Sequence, residues 1–156
     1  MAFDLESFIS STVDAPMDTS FPVCPEGEFS FLLDTDPKML EVKNIKGVSK
    51  GSGNAYDFHQ MELVAVCQSD DVRKAMGRDR VPVRMRVNLD FDVNGRLATG
   101  TGKNVILGQL REALGQNKPG WSPKQLLGAG PFIGRVKQSE GNDGRKYADI
   151  VAAAKR

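Results

Sequence analysis

Three places in the chain carry side chains of types that could do chemistry, and spacing decides what each can do. Gly100-Thr-Gly-Lys-Asn104 has the glycines and lysine of a phosphate loop. A loop of the Walker type needs glycine five positions before its Gly-Lys pair and Ser or Thr after it. Leu97 and Asn104 stand there instead, so these glycines are expected to shape the approach to a helix. Asp90 and Asp92, two apart on one strand face, could share a divalent metal. Metal-dependent phosphodiester chemistry wants further carboxylates and often a lysine nearby, and the sequence clusters none. Their alternation with Arg84 and Arg86 reads as a solvated polar face. The one histidine, His59, lies in no nucleophile motif, and no Gly-x-Ser-x-Gly occurs. Cys24 and Cys67 have neither metal-ligand spacing nor the numbers for a disulfide framework, which fits a reducing compartment. The expectation is a chain without catalysis, cofactor or metal.

Material for binding a polyanion is better supplied. Lys43, Lys46 and Lys50 lead into a Gly-rich loop, and Tyr56 and Phe58 open the next strand on one face. Arg84 and Arg86 share the polar side of a later strand. Arg135 and Lys137 lie on one face near the C-terminus, followed by Arg145, Lys146 and Tyr147. Single-strand binders combine a cationic groove for phosphates with rings on which bases stack. In an OB barrel such groups sit on the second and third strands and the neighbouring loops. The competing reading makes the aromatics core and the lysines solvated surface. Both stay open at this level.

Charge sharpens the contrast along the chain. Its 156 residues carry a net +1. Residues 1–40 hold eight acids and only Lys38 as a base, a balance of −7, whereas residues 41–156 stand at +8. An acidic front beside a basic body suggests a polyanion-binding surface with a segment able to compete for it. The pI near 7.7 falls short of the ~9 of a dedicated nucleic-acid domain. A hydrophobic share of 40% and a charged share of 26% describe a globular chain long enough for a core. No apolar run approaches the roughly 18 residues of a membrane span.

The elements that must position these side chains are legible from period and punctuation. Residues 1–22, with Phe3, Leu5, Phe8 and Ile9 at helical spacing, read as an acidic amphipathic arm, and 23–156 as one domain. Strands are expected over Glu28–Leu33, Lys38–Val48 and Tyr56–Cys67, the last apolar on both faces at Val64–Val66 and hence central. Ser69 should cap a short helix through Met76, with Gly77 as its stop. From Val81 to Val93 every odd position is apolar and the even ones are mainly polar, predicting one long strand before the Asn94-Gly95 turn. Lys103–Leu114 has the stripe of an amphipathic helix stopped by Gly115. Ser122, Pro123 and Gln125 compose a capping box, with Trp121 stapling against Leu126 rather than stacking on a base. Phe132–Glu140 and Lys146–Ala153, joined by Gly141-Asn-Asp-Gly144, form a closing hairpin. The sum is a mainly β (β-rich α+β) chain of about six strands with two or three helices, a small barrel or sandwich.

Three segments carry a resemblance: Gly102-Lys-Asn-Val-Ile-Leu-Gly-Gln-Leu-Arg-Glu-Ala-Leu-Gly115, then Leu126-Leu-Gly-Ala-Gly130, then Gly134-Arg-Val-Lys137 with Gly144-Arg-Lys-Tyr-Ala-Asp-Ile150. They resemble a group of small tailed-bacteriophage proteins that share a Lys-x-x-x-Leu-x-x-Leu-x-x-Ala-Leu-Gly helix, a Leu-x-Gly step and a terminal hairpin with Gly-Lys/Arg-x-Tyr. Many of the group are uncharacterised. Others are similar to phage single-stranded DNA-binding proteins of OB fold, encoded among replication and recombination genes. The likeness spans residues 23–153 by pattern and is specific over 100–150, and the opening Met1-Ala-Phe-Asp-Leu-Glu-Ser-Phe-Ile9 is similar too. It implies an OB-like barrel with inserted helices, single-stranded DNA as partner, and Arg145, Lys146 and Tyr147 as the best-matched contacts. Phage replication or recombination proteins and a second copy of the chain are further implied partners, and the host cytoplasm the place. Such phage proteins often end in an acidic partner-recruiting tail, whereas this chain ends Ala154-Lys-Arg156 and carries its acidity at the front. The alternative is a virion protein that decorates or cements the capsid. A weaker one is a DNA mimic acting through its acidic front.

Overall fold

The alternation beginning at Val81 decides which side of the sheet is inside. Val81, Val83, Met85, Val87 and Leu89 are buried, while Pro82, Arg86 and Asn88 are exposed and Arg84 half-buried. The same period orders the neighbouring strand, where Met61, Leu63, Ala65 and Cys67 are buried between half-buried partners. A computed structural model describes residues 2–17 and 22–156.

Among these residues the strands are β1 (Gly27–Leu33), β2 (Leu40–Val48), β3 (Ala55–Cys67), β4 (Pro82–Leu89), β5 (Phe132–Glu140) and β6 (Lys146–Ala154). The helices are α1 (Leu5–Ser10), α2 (Asp70–Met76) and α3 (Val105–Ala113), with single 3-10 turns at Pro37–Met39 and Pro123–Leu126. The chain is therefore β-rich with few helices, as composition and period led us to expect. The six strands form one mixed sheet in the order β1-β5-β6-β4-β3-β2. Every pairing is antiparallel except β4 with β6. The far end of β1 also pairs with β3, Phe31 opposite Cys67, so the ladder β1-β5-β6-β4-β3 returns to its start and β2 extends outward from β3. Phe31 and Phe132, both fully buried and with ring centroids 6.1 Å apart, anchor the enclosed side. Helix α3 packs on β4 and β6 through Leu107 and Leu110.

Local signals gave good boundaries where the element is self-contained. Ser69 caps α2 by accepting from Val72 N, and Gly77 ends it in the left-handed region that glycine adopts without strain. Gly102, at φ 78°, belongs to the turn before α3, as expected of a loop that shapes a helix start.

Four expectations need correction. The strand predicted over Val81–Val93 ends at Leu89, and Val93 is wholly exposed. Beyond Leu89 the chain pairs with itself, Phe91 bridging Leu97, so the polar/apolar alternation outlasts the ladder that would use it. Asp90 and Asp92 are accordingly not on a strand face: Asp92 accepts from Asn94 N and Arg96 N in the turn. At Ser122 no side-chain cap forms: a 3-10 turn follows, and the Gln125 N–H that a capping box would offer to the Ser122 hydroxyl donates to the Ser122 carbonyl at 2.9 Å. Trp121 packs against the core cluster that includes Leu126 and also donates to Gln116 Oε1 at 2.9 Å beneath the Arg111 guanidinium. The predicted helix Lys103–Leu114 is shorter at both ends, Val105–Ala113.

The arm keeps its helix. Asp4 caps α1, and none of its residues is buried, so Phe3, Leu5, Phe8 and Ile9 are all exposed. Asp18, one of its acids, lies outside the described residues. Among the described residues no helix is long and apolar enough to cross a membrane.

Candidate nucleic-acid interface

Register decides which candidates can act together. Gly47 lies opposite Tyr56, Ile45 opposite Phe58 and Lys43 opposite Gln60 across the β2–β3 pair. Gln60 then faces Asn88, Glu62 faces Arg86 and Val64 faces Arg84 across β3–β4. Because side chains alternate, all of these share the outward face, away from Met61 and Val87. Through the parallel pair Arg84–Asp149 and the pair Asp149–Lys137, the face continues onto β6 and β5. Lys43, Tyr56, Phe58, Arg84, Arg86, Lys137 and Tyr147 are thus brought onto one side, with Arg135 on the same outward side of β5 as Lys137. Lys46, opposite Asp57, and Lys146, next to Tyr147, fall on the other side of their strands, and Lys50 sits in the turn joining β2 to β3.

The two rings lie side by side on this outer face. Tyr56 is 43% exposed and Phe58 half-buried, and their centroids lie 6.0 Å apart at 40°. Tyr56 lies directly over Gly47, where any Cβ would collide with its hydroxyl and ring. A glycine opposite the tyrosine therefore lets the ring lie flat on the hairpin.

The cations of the face divide into paired and unpaired. Asp149, buried to 8% exposure, accepts from Arg84 Nε at 2.9 Å and from Arg86 Nη2 at 3.5 Å. The Asp149 hydrogen bond holds the Arg84 guanidinium above its ordinary range, outweighing the opposing effect of burial. Lys43 lies 3.4 Å from Glu62 and 3.7 Å from Glu41. These side chains form an ion-paired lattice, not a bare cationic groove. Among the described residues Lys46, Lys50, Arg135, Lys137 and Lys146 have no ion pair. At the tip of the closing hairpin Tyr147 donates to Asp143 at 2.9 Å, which raises the phenol's pKa. Arg145 lies 3.9 Å from the same carboxylate.

Gln60, Glu62, Asn88 and Asp149 belong to this face and were not among the sequence candidates. Gln60 and Asn88 had a signal, standing two residues beyond Phe58 and Arg86 on the same period. Asp149 had none, because its partners lie 63 and 65 residues away. His59 is on the opposite side, edge-on to Phe91 at 5.2 Å and 3.5 Å from the Asn44 amide. Among the described residues no three His, Cys, Asp or Glu side chains come together as a metal site would require. Compared with protein-family models, with curated proteins and with solved structures, the chain matches none.

Proposed function

We propose that the chain is a single-stranded DNA-binding protein of a tailed bacteriophage, acting in replication or recombination in the host cytoplasm, without catalysis. The observation that carries this reading is the outward face of β3 and β4. There Tyr56, Phe58, Gln60, Asn88, Arg84 and Arg86 stand side by side, flanked by the turns 49–54 and 141–145.

An OB-like barrel is part of the proposal. In its support, β1, β3, β4, β5 and β6 pair in a ring with one parallel contact, and α3 lies between β4 and β5 in the chain. On this assignment β3 and β4 are the barrel's second and third strands. The segment carrying Lys43, Lys46 and Lys50 is then its first loop, and the β5–β6 turn its last. Those are the places where OB barrels take oligonucleotides. Exposed rings would stack bases, and Lys50, Lys137 and Arg135 would meet phosphates.

Fluorescence anisotropy with labelled oligo-dT and a duplex of equal length at two salt concentrations tests it. The expected result is tighter binding to the single strand, weakening as salt rises through counterion release. No binding at low salt overturns the proposal. The exposed apolar side chains of α1 favour a second reading, a virion protein that decorates or cements the capsid through its arm. Co-purification with virions would select it.

A further inference from the structure

Beside the aromatic pair, the outward face opens into a cleft of about 570 Å³ between β4, the residues leading into α3, and β6. Its polar wall consists of Gln60, Arg86, Asn88, Asp90, Asn104 and Asp149, and Ile106 and Val151, both partly exposed, belong to its apolar wall. We infer that this cleft receives one unpaired guanine base of the bound strand, a deepening of the single-stranded DNA reading on which it rests.

Three observations select that ligand. The first is charge. Arg86 is the one cation of the wall, and with Arg84, which pairs with Asp149 from beside it, it balances the carboxylates of Asp90 and Asp149, so a phosphate gains no net attraction there and a neutral group with N–H donors is accepted. The second is the donor and acceptor set. Gln60 Nε2 donates to Asn88 Oδ1 at 2.9 Å, which leaves the Gln60 carbonyl oxygen and the Asn88 N–H groups for a ligand. Arg86 is tied only by the 3.5 Å contact to Asp149, so most of its donor fork is available. A guanidinium fork pairs with the adjacent O6 and N7 acceptors of guanine, and the remaining acceptors suit the guanine N1–H and N2–H₂. The third is position. Tyr56, Phe58 and Gln60 follow one another on the same face, and alternate strand residues stand roughly 6.5–7 Å apart. A strand stacking two bases on the rings delivers the next one to the cleft.

The test uses the full chain, an oligo-dT, and the same oligonucleotide with one central dG, compared by anisotropy. The dG oligonucleotide should bind at least roughly fivefold more tightly, the discrimination of one good bidentate pair. Arg86→Lys keeps the charge and removes the fork, so it should bring the ratio of dG-oligonucleotide to oligo-dT affinity to about one, a ratio read separately from any change in oligo-dT binding itself. Asn88→Ala, at an exposed position outside the ion pairs, should reduce the preference and covers the case in which Arg86→Lys fails to fold. Equal binding of the two oligonucleotides by the wild-type chain, or a preference that survives both variants, overturns the guanine site alone. Binding of neither overturns the single-stranded DNA reading and the site with it.

Discussion

Asp90 and Asn104 hold each other through three hydrogen bonds. Asp90 N donates to Asn104 Oδ1 at 2.8 Å, Asn104 N to Asp90 Oδ2 at 3.0 Å, and Asn104 Nδ2 to the Asp90 carbonyl at 2.9 Å. A further bond from Nδ2 reaches the Ala98 carbonyl at 2.8 Å. The pair closes the whole excursion between β4 and α3, and Asn104 adopts φ 49° to do so, a left-handed conformation that asparagine tolerates better than most residues. The carboxylate that sequence offered as half of a metal site is thus a fastener, and the asparagine in the place of a Walker hydroxyl is its other half.

Replacing Asn104 tests this fastener. Asn104→Gly keeps the backbone conformation and loses the side-chain bonds, so it should cost roughly 1–3 kcal/mol. Asn104→Ala adds left-handed strain of about 1–2 kcal/mol more. Urea denaturation measures both, and a neutral Asn104→Gly would show that the clamp adds nothing to stability.

Tyr56 and Gly47 make a matched pair of probes. Tyr56→Ala should weaken single-strand binding by roughly 1–3 kcal/mol, with little change in melting temperature because the ring is substantially exposed. Gly47→Ala keeps the tyrosine but displaces its ring from the hairpin, and should weaken binding in the same direction. A large fall in melting temperature for Tyr56→Ala would instead mark the ring as core, and Phe58→Ala is the parallel test one position further in.

The hairpin tip predicts a pH dependence. A backbone bond from Arg145 and then the Tyr147 hydroxyl lower the Asp143 pKa below 3.8, while the Asp143 bond raises that of Tyr147 above 10.0. A carboxylate with lowered pKa stabilises the folded state above its unfolded pKa and loses that contribution as pH falls through the folded one. The phenol works in reverse, stabilising below its unfolded pKa until pH rises through the raised one. The bond should therefore persist between about pH 4 and 10. In a carboxyl NMR titration, Tyr147→Phe should move Asp143 only part of the way back up, since the larger cause, the Arg145 backbone bond, remains. An unchanged Asp143 would remove the tyrosine from the account.

Removal of residues 1–20 bears on the acidic arm. Asp4, Glu6 and Asp14 are exposed, and a tethered anion beside a cationic surface competes with DNA at high effective concentration. Truncation should tighten oligo-dT binding at low salt, with the gain shrinking as salt screens both interactions. A truncated chain that unfolds or loses a dimer would make the arm a structural clasp.

Sequence by itself determined what depends on near neighbours. The inner positions of β4, the central place of β3, the Ser69 cap and Gly77 stop of α2, and the closing hairpin with its Gly-Asn-Asp-Gly turn all follow from period-two burial, apolar runs, local capping and turn chemistry. Where a local pattern was extended past its partner it misled. The alternation ran on to Val93 after the ladder had ended, and Ser122 had a cap signature but no α-helix to cap. Tertiary structure alone decided which strands became neighbours, and with them the face. Whether Arg84 meets phosphate or Asp149 depends on a parallel pairing between β4 and β6, and whether Tyr56 lies flat depends on Gly47 arriving opposite it. Period two assigns a side chain to one side of its own strand. What shares that side is set by register between strands, which no spacing within one strand encodes.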